Sequence, residues 1–127
     1  MALTHTTAVR NSISDGVVDQ IDLGVADANG DLVYATAGDV EVSVGAFANP
    51  AFGASVNGVA TANTITDDPS SAGGTVAIVI VRDRDNTELF RGSVTAIGGG
   101  GDAELTSVVI VATEPIKTTS MTYTAST

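Results

Sequence analysis

The chain predicts an α+β fold, an N-terminal helix followed by a mostly antiparallel β-sheet or sandwich of about six to eight short strands. Three observations predict it. Val9, Ile13, Val17 and Ile21 recur every four residues, the period of one helix face. From Leu32 onward the apolar pattern changes to alternation, as in Val40, Val42 and Val44 against Glu41, Ser43 and Gly45. Between these runs stand short clusters of turn formers, such as Asn29-Gly30, Gly38-Asp39, Asn49-Pro50 and Asp85-Asn86. At 127 residues the pattern fits a single domain, 1–127, with a helical part at 1–24 and a β-rich body at 25–127.

The helix comes first. Thr4 is the expected N-cap, with Leu3 placed to staple against Ala8, and Gly24 is the expected stop. Ala8 and Val18 widen the apolar stripe, while Asp15, Asp19 and Asp22 are expected on a solvated face. Gly16, Val17 and Val18 are weak helix formers, so the helix depends on docking its stripe against the sheet. Leu32–Thr36 and Val40–Phe47 then read as paired strands around Gly38-Asp39. Phe52–Ile65, rich in small residues and broken by Gly53 and Gly58, reads as a broken strand or extended loop. Asp67 through Gly74 is a loop. Thr75–Arg82 contains the unbroken apolar run Val76–Val81, which predicts a central strand buried on both faces. Asp83–Thr87 turns the chain into a hairpin returning along Glu88–Ile97, and Gly98–Gly101 is a loop. Ala103–Ala112 and Lys117–Ala125 are expected to pair with each other around Glu114-Pro115.

Composition narrows the function classes. The net charge is −10, and the cations are Arg10, Arg82, Arg84, Arg91 and Lys117. Nucleic-acid binding needs a basic face to displace counterions from phosphate, so that class is set aside. No segment approaches the roughly 20 apolar residues that span a bilayer, and no signal peptide is apparent. No membrane partner is expected. There are no cysteines, so neither disulfides nor thiol chemistry enters, and synthesis in a cytoplasm is the simplest reading. There is no Trp and few aromatics, so Val and Ala must fill the core.

The chemistry-bearing residues read as structural. Asp83, Asp85 and Glu88 suggest an oxygen-ligand calcium loop, but the glycine bend and terminal glutamate of that pattern are missing. A hairpin turn explains Asp85-Asn86 better. Asp67 and Asp68, adjacent before Pro69, read as turn residues bonding their own backbone rather than an acid–base pair. His5 is the only histidine and lies at the helix start. Gly98–Gly101 lacks the lysine of a phosphate loop and runs into Asp102. The expectation is no catalytic residues, no cofactor and no metal, in a protein that is not an enzyme.

The segments THTTAVRNSISDGVVDQIDLG (4–24), PAFGASVNGVATANTIT (50–66) and GGTVAIVIVRDRDNTELFRGSVTAIGGGGDAEL (73–105) resemble the small head-decoration, or capsid-cementing, proteins of tailed bacteriophages. Members often carry Asp-Gly in the hairpin turn, where this chain has Asp85-Asn86. The resemblance implies a structural virion protein on the capsid exterior, stabilising the head. It implies the major capsid protein as partner, with copies of this chain clustered, a trimer being the expected assembly. An alternative of a different class is a tail or fibre module that binds host surface carbohydrate. Such modules use exposed aromatic platforms, and only Tyr34, Phe47, Phe52, Phe90 and Tyr123 could provide one.

Overall fold

The structure, a computed structural model, describes residues 1–127. One helix, α1 (Thr7–Val18), runs into a 3-10 turn (Asp19–Asp22) and is followed by nine strands. These are β1 (Asp31–Ala35), β2 (Glu41–Ala46), β3 (Val59–Thr61), β4 (Gly74–Thr75), β5 (Ile78–Arg82), β6 (Glu88–Ala96), β7 (Ala103–Leu105), β8 (Val109–Ile110) and β9 (Thr122–Thr124). The main sheet has the order β2-β1-β5-β6-β7, antiparallel except where β7 runs parallel to the end of β6. Two small ribbons, β3-β9 and β4-β8, complete an α+β fold in which one helix accompanies a mostly antiparallel set of strands.

The expected strand Thr75–Arg82 is divided, Gly74–Thr75 pairing with β8 and Ile78–Arg82 forming the central strand. β5 lies at the centre of the sheet, with Val81 buried on one face and Ile80 on the other. On the first face Leu32, Tyr34 and Val81 join Val18 and Ile21 of the helical segment and Phe47, Phe52, Ala60, Ile110 and Ile116 in one core cluster. On the second face Val33, Ala35 and Ile80 form a separate small cluster. No helix covers it. Arg82 sits beside Asp31 in the register and Glu41 beside Ala35, so their 2.6 Å ion pair crosses above Val33. Arg91 similarly reaches Asp39 at 2.9 Å and Glu88 at 2.6 Å. Such exposed pairs add at most about 1 kcal/mol each, but their aliphatic stems shield the apolar strip.

A β-bulge explains an irregularity in β2. Tyr34 pairs with Ser43 and Ala35 with Glu41, which leaves Val42 as the extra residue. Strict alternation is broken there, and the successive residues Val42 and Ser43 are both buried.

The helix docks differently from the expected stripe. Val9 is 45% exposed, and Ile13 and Val17 are only half-buried. The fully buried positions are Ser14, Val18 and Ile21. The rotation has a polar cause. Ser14 Oγ donates to Gly58 O at 2.6 Å and accepts from Ala125 N at 3.1 Å. Asn11 Oδ1 accepts from Gly58 N at 2.7 Å, and Asp15 Oδ1 from Ser55 N at 2.8 Å. Asp22 accepts from Ala51 N at 2.9 Å. Asp15 and Asp22 therefore tie the 51–58 loop to the helix and are not simply solvated, whereas Asp19 is exposed. Unpaired buried amides are costly, so satisfying this loop outweighs burying the more apolar flank.

Two further expectations are corrected. The N-cap is Thr6, whose extended backbone (φ −66°, ψ 161°) lets its hydroxyl accept from Val9 N, and Leu3 and Ala8 are both exposed rather than stapled. Ala103–Ala112 and Lys117–Ala125 do not pair with each other. β7 joins β6, β8 joins β4, and β9 joins β3. Thr113, at φ 70°, and Pro115 interrupt the chain between them. Each short segment finds an earlier strand to complete its hydrogen bonds.

Candidate functional site

An open cleft of about 490 Å³ lies between the first face of the sheet and the C-terminal segment 117–123. Its floor includes Leu32, Val79, Val81 and Phe90, and Met121 and Tyr123 line its far wall. The alternation of β1, β5 and β6 places these floor residues on one face, since Leu32 pairs with Val81 and Val81 with Phe90. The Phe90 and Tyr123 rings pack 5.6 Å apart and close one end. Tyr34 hydroxyl and Thr118 Oγ1 lie 2.8 Å apart, which tethers the C-terminal segment across the sheet. Burial pushes the Tyr34 phenol above its ordinary value, so it stays neutral.

Most of the charged side chains at the rim are already committed, Lys117 being the exception. Asp102 Oδ2 accepts from Ser93 N at 2.8 Å and Ser93 Oγ at 2.9 Å, and these donors hold its carboxyl below the usual range. Glu104 accepts from Gly98 N at 3.3 Å and Gly100 N at 2.9 Å. The glycine loop is thus an anion-binding nest, filled by the chain's own carboxylate. Arg91 is engaged by Glu88 and Asp39. The cleft can seat apolar side chains, and the one carboxylate–hydroxyl pair at its rim, Asp102 with Ser93, is also bonded to the backbone amides of both residues.

The other sequence-selected residues are placed apart. Asp83 Oδ1 accepts from Asp85 N and Thr87 N, both at 2.9 Å, and closes the hairpin turn with Asn86 at φ 63°. Asp85 points the opposite way, accepting from Val25 N at 2.7 Å and Ala26 N at 2.9 Å. These two donors hold the Asp85 carboxyl below its ordinary value, and the Arg91 pair does the same for Glu88. Asp83, Asp85 and Glu88 do not converge, and no group of three or more His, Asp or Glu side chains is arranged to hold a metal ion. Asp68 bridges Ser70 N at 2.8 Å and Val44 N at 2.9 Å. Asp67 is half-buried beside it, and His5 is exposed ahead of the helix. No local pattern marks the long-range ties, such as Asp85 to the 25–26 backbone. The local Asp83 turn was readable from its spacing.

These carboxylates give acid stability a definite shape. Asp85 and Asp102 have lowered folded values, so their contribution is complete above the ordinary 3.8 and is lost as pH falls through the lowered values. Asp22 and Asp31 are raised by burial, so they work in the opposite sense above that point. Thermal melts between pH 7 and 2 should show a melting temperature that holds or rises slightly toward about pH 4 and then falls. A steady decline starting above about pH 5 would contradict these assignments.

No helix is long and apolar enough to cross a membrane. Comparison with known proteins finds no matching family model, no matching curated protein and no matching solved structure.

Proposed function

We propose that this protein is a structural component of a tailed-phage virion, bound to the outer surface of the capsid, where it ties neighbouring major capsid protein subunits together and stabilises the head. The observation that carries the structural role is the commitment of its acidic side chains. Asp15, Asp22, Asp68, Asp83, Asp85, Asp102, Glu104 and Glu114 each accept a backbone N–H, eight of the fifteen acidic residues. Groups that serve enzymes as bases or metal ligands here brace loops. The resemblance of segments 4–24, 50–66 and 73–105 to head-decoration proteins supplies the setting. The net charge of −10 suits a soluble body standing outside a DNA-filled shell.

The carbohydrate-binding tail module is less well supported. Tyr34, Phe47 and Phe52 are buried, and Phe90 and Tyr123 are half-buried against each other. None stands exposed as a platform for a sugar ring. Quantitative mass spectrometry of purified particles separates the readings. Copies on the order of hundreds per particle are expected for a protein acting through repeated weak contacts. A handful of copies, confined to tail fractions, would reject decoration.

A further inference from the structure

Six asparagines occur in the chain, and two of them, Asn29 and Asn57, precede glycine. Such a pair is chemically weak, because a glycine nitrogen has no neighbouring Cβ to hinder its attack on the asparagine side-chain amide. The structure separates the two pairs. Asn29 is half-buried, and its Nδ2 donates to Phe47 O at 2.5 Å. Gly30 after it is pressed against Ile21 and the Arg82 carbonyl. Asn11, Asn49, Asn63 and Asn86 each commit a side-chain amide atom to a hydrogen bond, and Asn49 precedes a proline, which has no N–H to lose. Asn57 alone combines an exposed, unbonded side chain with a following glycine.

The fold itself requires this reactive pair. Val56 and Val59 exchange backbone bonds at 2.9 and 3.0 Å, and the two residues between them both have positive φ, 53° at Asn57 and 78° at Gly58. A two-residue hairpin of that kind favours Asn-Gly. Position 58 needs glycine for a second reason, since a Cβ there would lie 2.8 Å from Arg10 Nε. Gly58 is also where α1 docks. Its carbonyl accepts from Ser14 Oγ and Ala125 N. Its amide, the group that would attack Asn57, donates to Asn11 Oδ1 at 2.7 Å.

We propose that Asn57 is a site of spontaneous deamidation in the folded protein, and that Asn11 restrains the reaction by holding the Gly58 N–H. The Gly58 nitrogen gives its proton to solvent, bonds to Asn57 Cγ and expels ammonia, which leaves a succinimide. Water then opens the ring to aspartate or isoaspartate at position 57. Isoaspartate carries an extra methylene in the main chain, so the tight turn is lengthened and the bonds from Gly58 to Asn11, Ser14 and Ala125 are disturbed. The modification therefore loosens α1 from the hairpin as the protein ages. This inference does not depend on the capsid setting.

The test incubates the full chain at mildly alkaline pH and follows the conversion of each asparagine to acid by peptide mass mapping. In the native protein position 57 should convert before any other. In urea, where the structural differences vanish, positions 29 and 57 should both convert, and position 57 faster than in the native protein. Asn11→Ala, which removes the acceptor, should speed native conversion at position 57 severalfold. Asn11→Asp keeps an acceptor and should restore slow conversion. Ser14→Ala breaks the bond to the Gly58 carbonyl but leaves its amide held, so it controls for general loosening of the hairpin and should convert as the unaltered chain does. Native conversion at another asparagine first, or none at position 57, would overturn the site. Equal rates in urea and in the native protein would overturn the restraint, as would Asn11→Ala converting no faster than the unaltered chain or no faster than Ser14→Ala.

Discussion

Val18→Asp is expected to destabilise the protein by on the order of 4 kcal/mol, a large share of a typical domain's stability of about 5–15 kcal/mol. Val18 is 1% exposed and belongs to the core cluster that joins the helical segment to Leu32, Tyr34 and Val81. A carboxylate there would have no donor to replace its water. Ile13→Asp, on the half-buried flank, should cost only about 1–2 kcal/mol. Asp15→Ala should fall near 1 kcal/mol, because it strands the Ser55 amide that Asp15 now receives. Urea unfolding of the three variants checks the order. Ile13→Asp as damaging as Val18→Asp would mean that the helix docks through its apolar stripe after all.

Gly30→Ala is the second large effect, at about 2–3 kcal/mol. A Cβ at Gly30 would lie 2.5 Å from Ile21 Cγ2, 2.7 Å from Arg82 O and 2.9 Å from Ile21 O. Two of those neighbours are backbone oxygens, which cannot swing aside. The position is where the 3-10 turn after α1 presses onto the β1–β5 pair, so relief requires moving the helix from the sheet. Gly16→Ala is the matching control. It lies within α1 with nothing inside 4 Å of a built Cβ, so alanine should stabilise by about 0.5–1 kcal/mol. Melting the two variants side by side distinguishes close approach from glycine's general helix penalty. Equal and small effects would show that the helix-to-sheet contact at Gly30 yields easily.

The legible parts of the fold were those encoded within a few residues. The apolar run Val76–Val81 declared a central strand, realised over Ile78–Arg82, the Asp83–Thr87 turn declared its hairpin, and Asn86 took the positive φ that the turn demands. Helix orientation was not legible, because hydropathy counts Ser14 against burial. Its value lies in bonds to Gly58 and Ala125, residues distant in the chain. The C-terminal pairing failed for the same reason. Alternation in Thr122–Thr124 marks a strand but cannot say that Val59–Thr61 is its partner. The cleft was invisible in sequence because its walls come from strands and a C-terminal segment far apart in the chain. Asp15, Asp19 and Asp22 looked like surface charge. Only in three dimensions do Asp15 and Asp22 meet the amides of Ser55 and Ala51, and Asp85 those of Val25 and Ala26.

That commitment of charge to structure supports reading the protein as a contributor of contact energy, and capsid stability is where such energy would be measured. Particles assembled with and without the protein should be heated while genome release is followed by a dye that fluoresces on DNA. Many weak contacts repeated over a shell add through multivalency, so the particles lacking the protein should assemble but release DNA at a distinctly lower temperature. Adding the purified protein back should restore the higher value. Equal release temperatures, together with failed adsorption to host cells, would contradict the capsid-stabilising account and assign the protein to the tail.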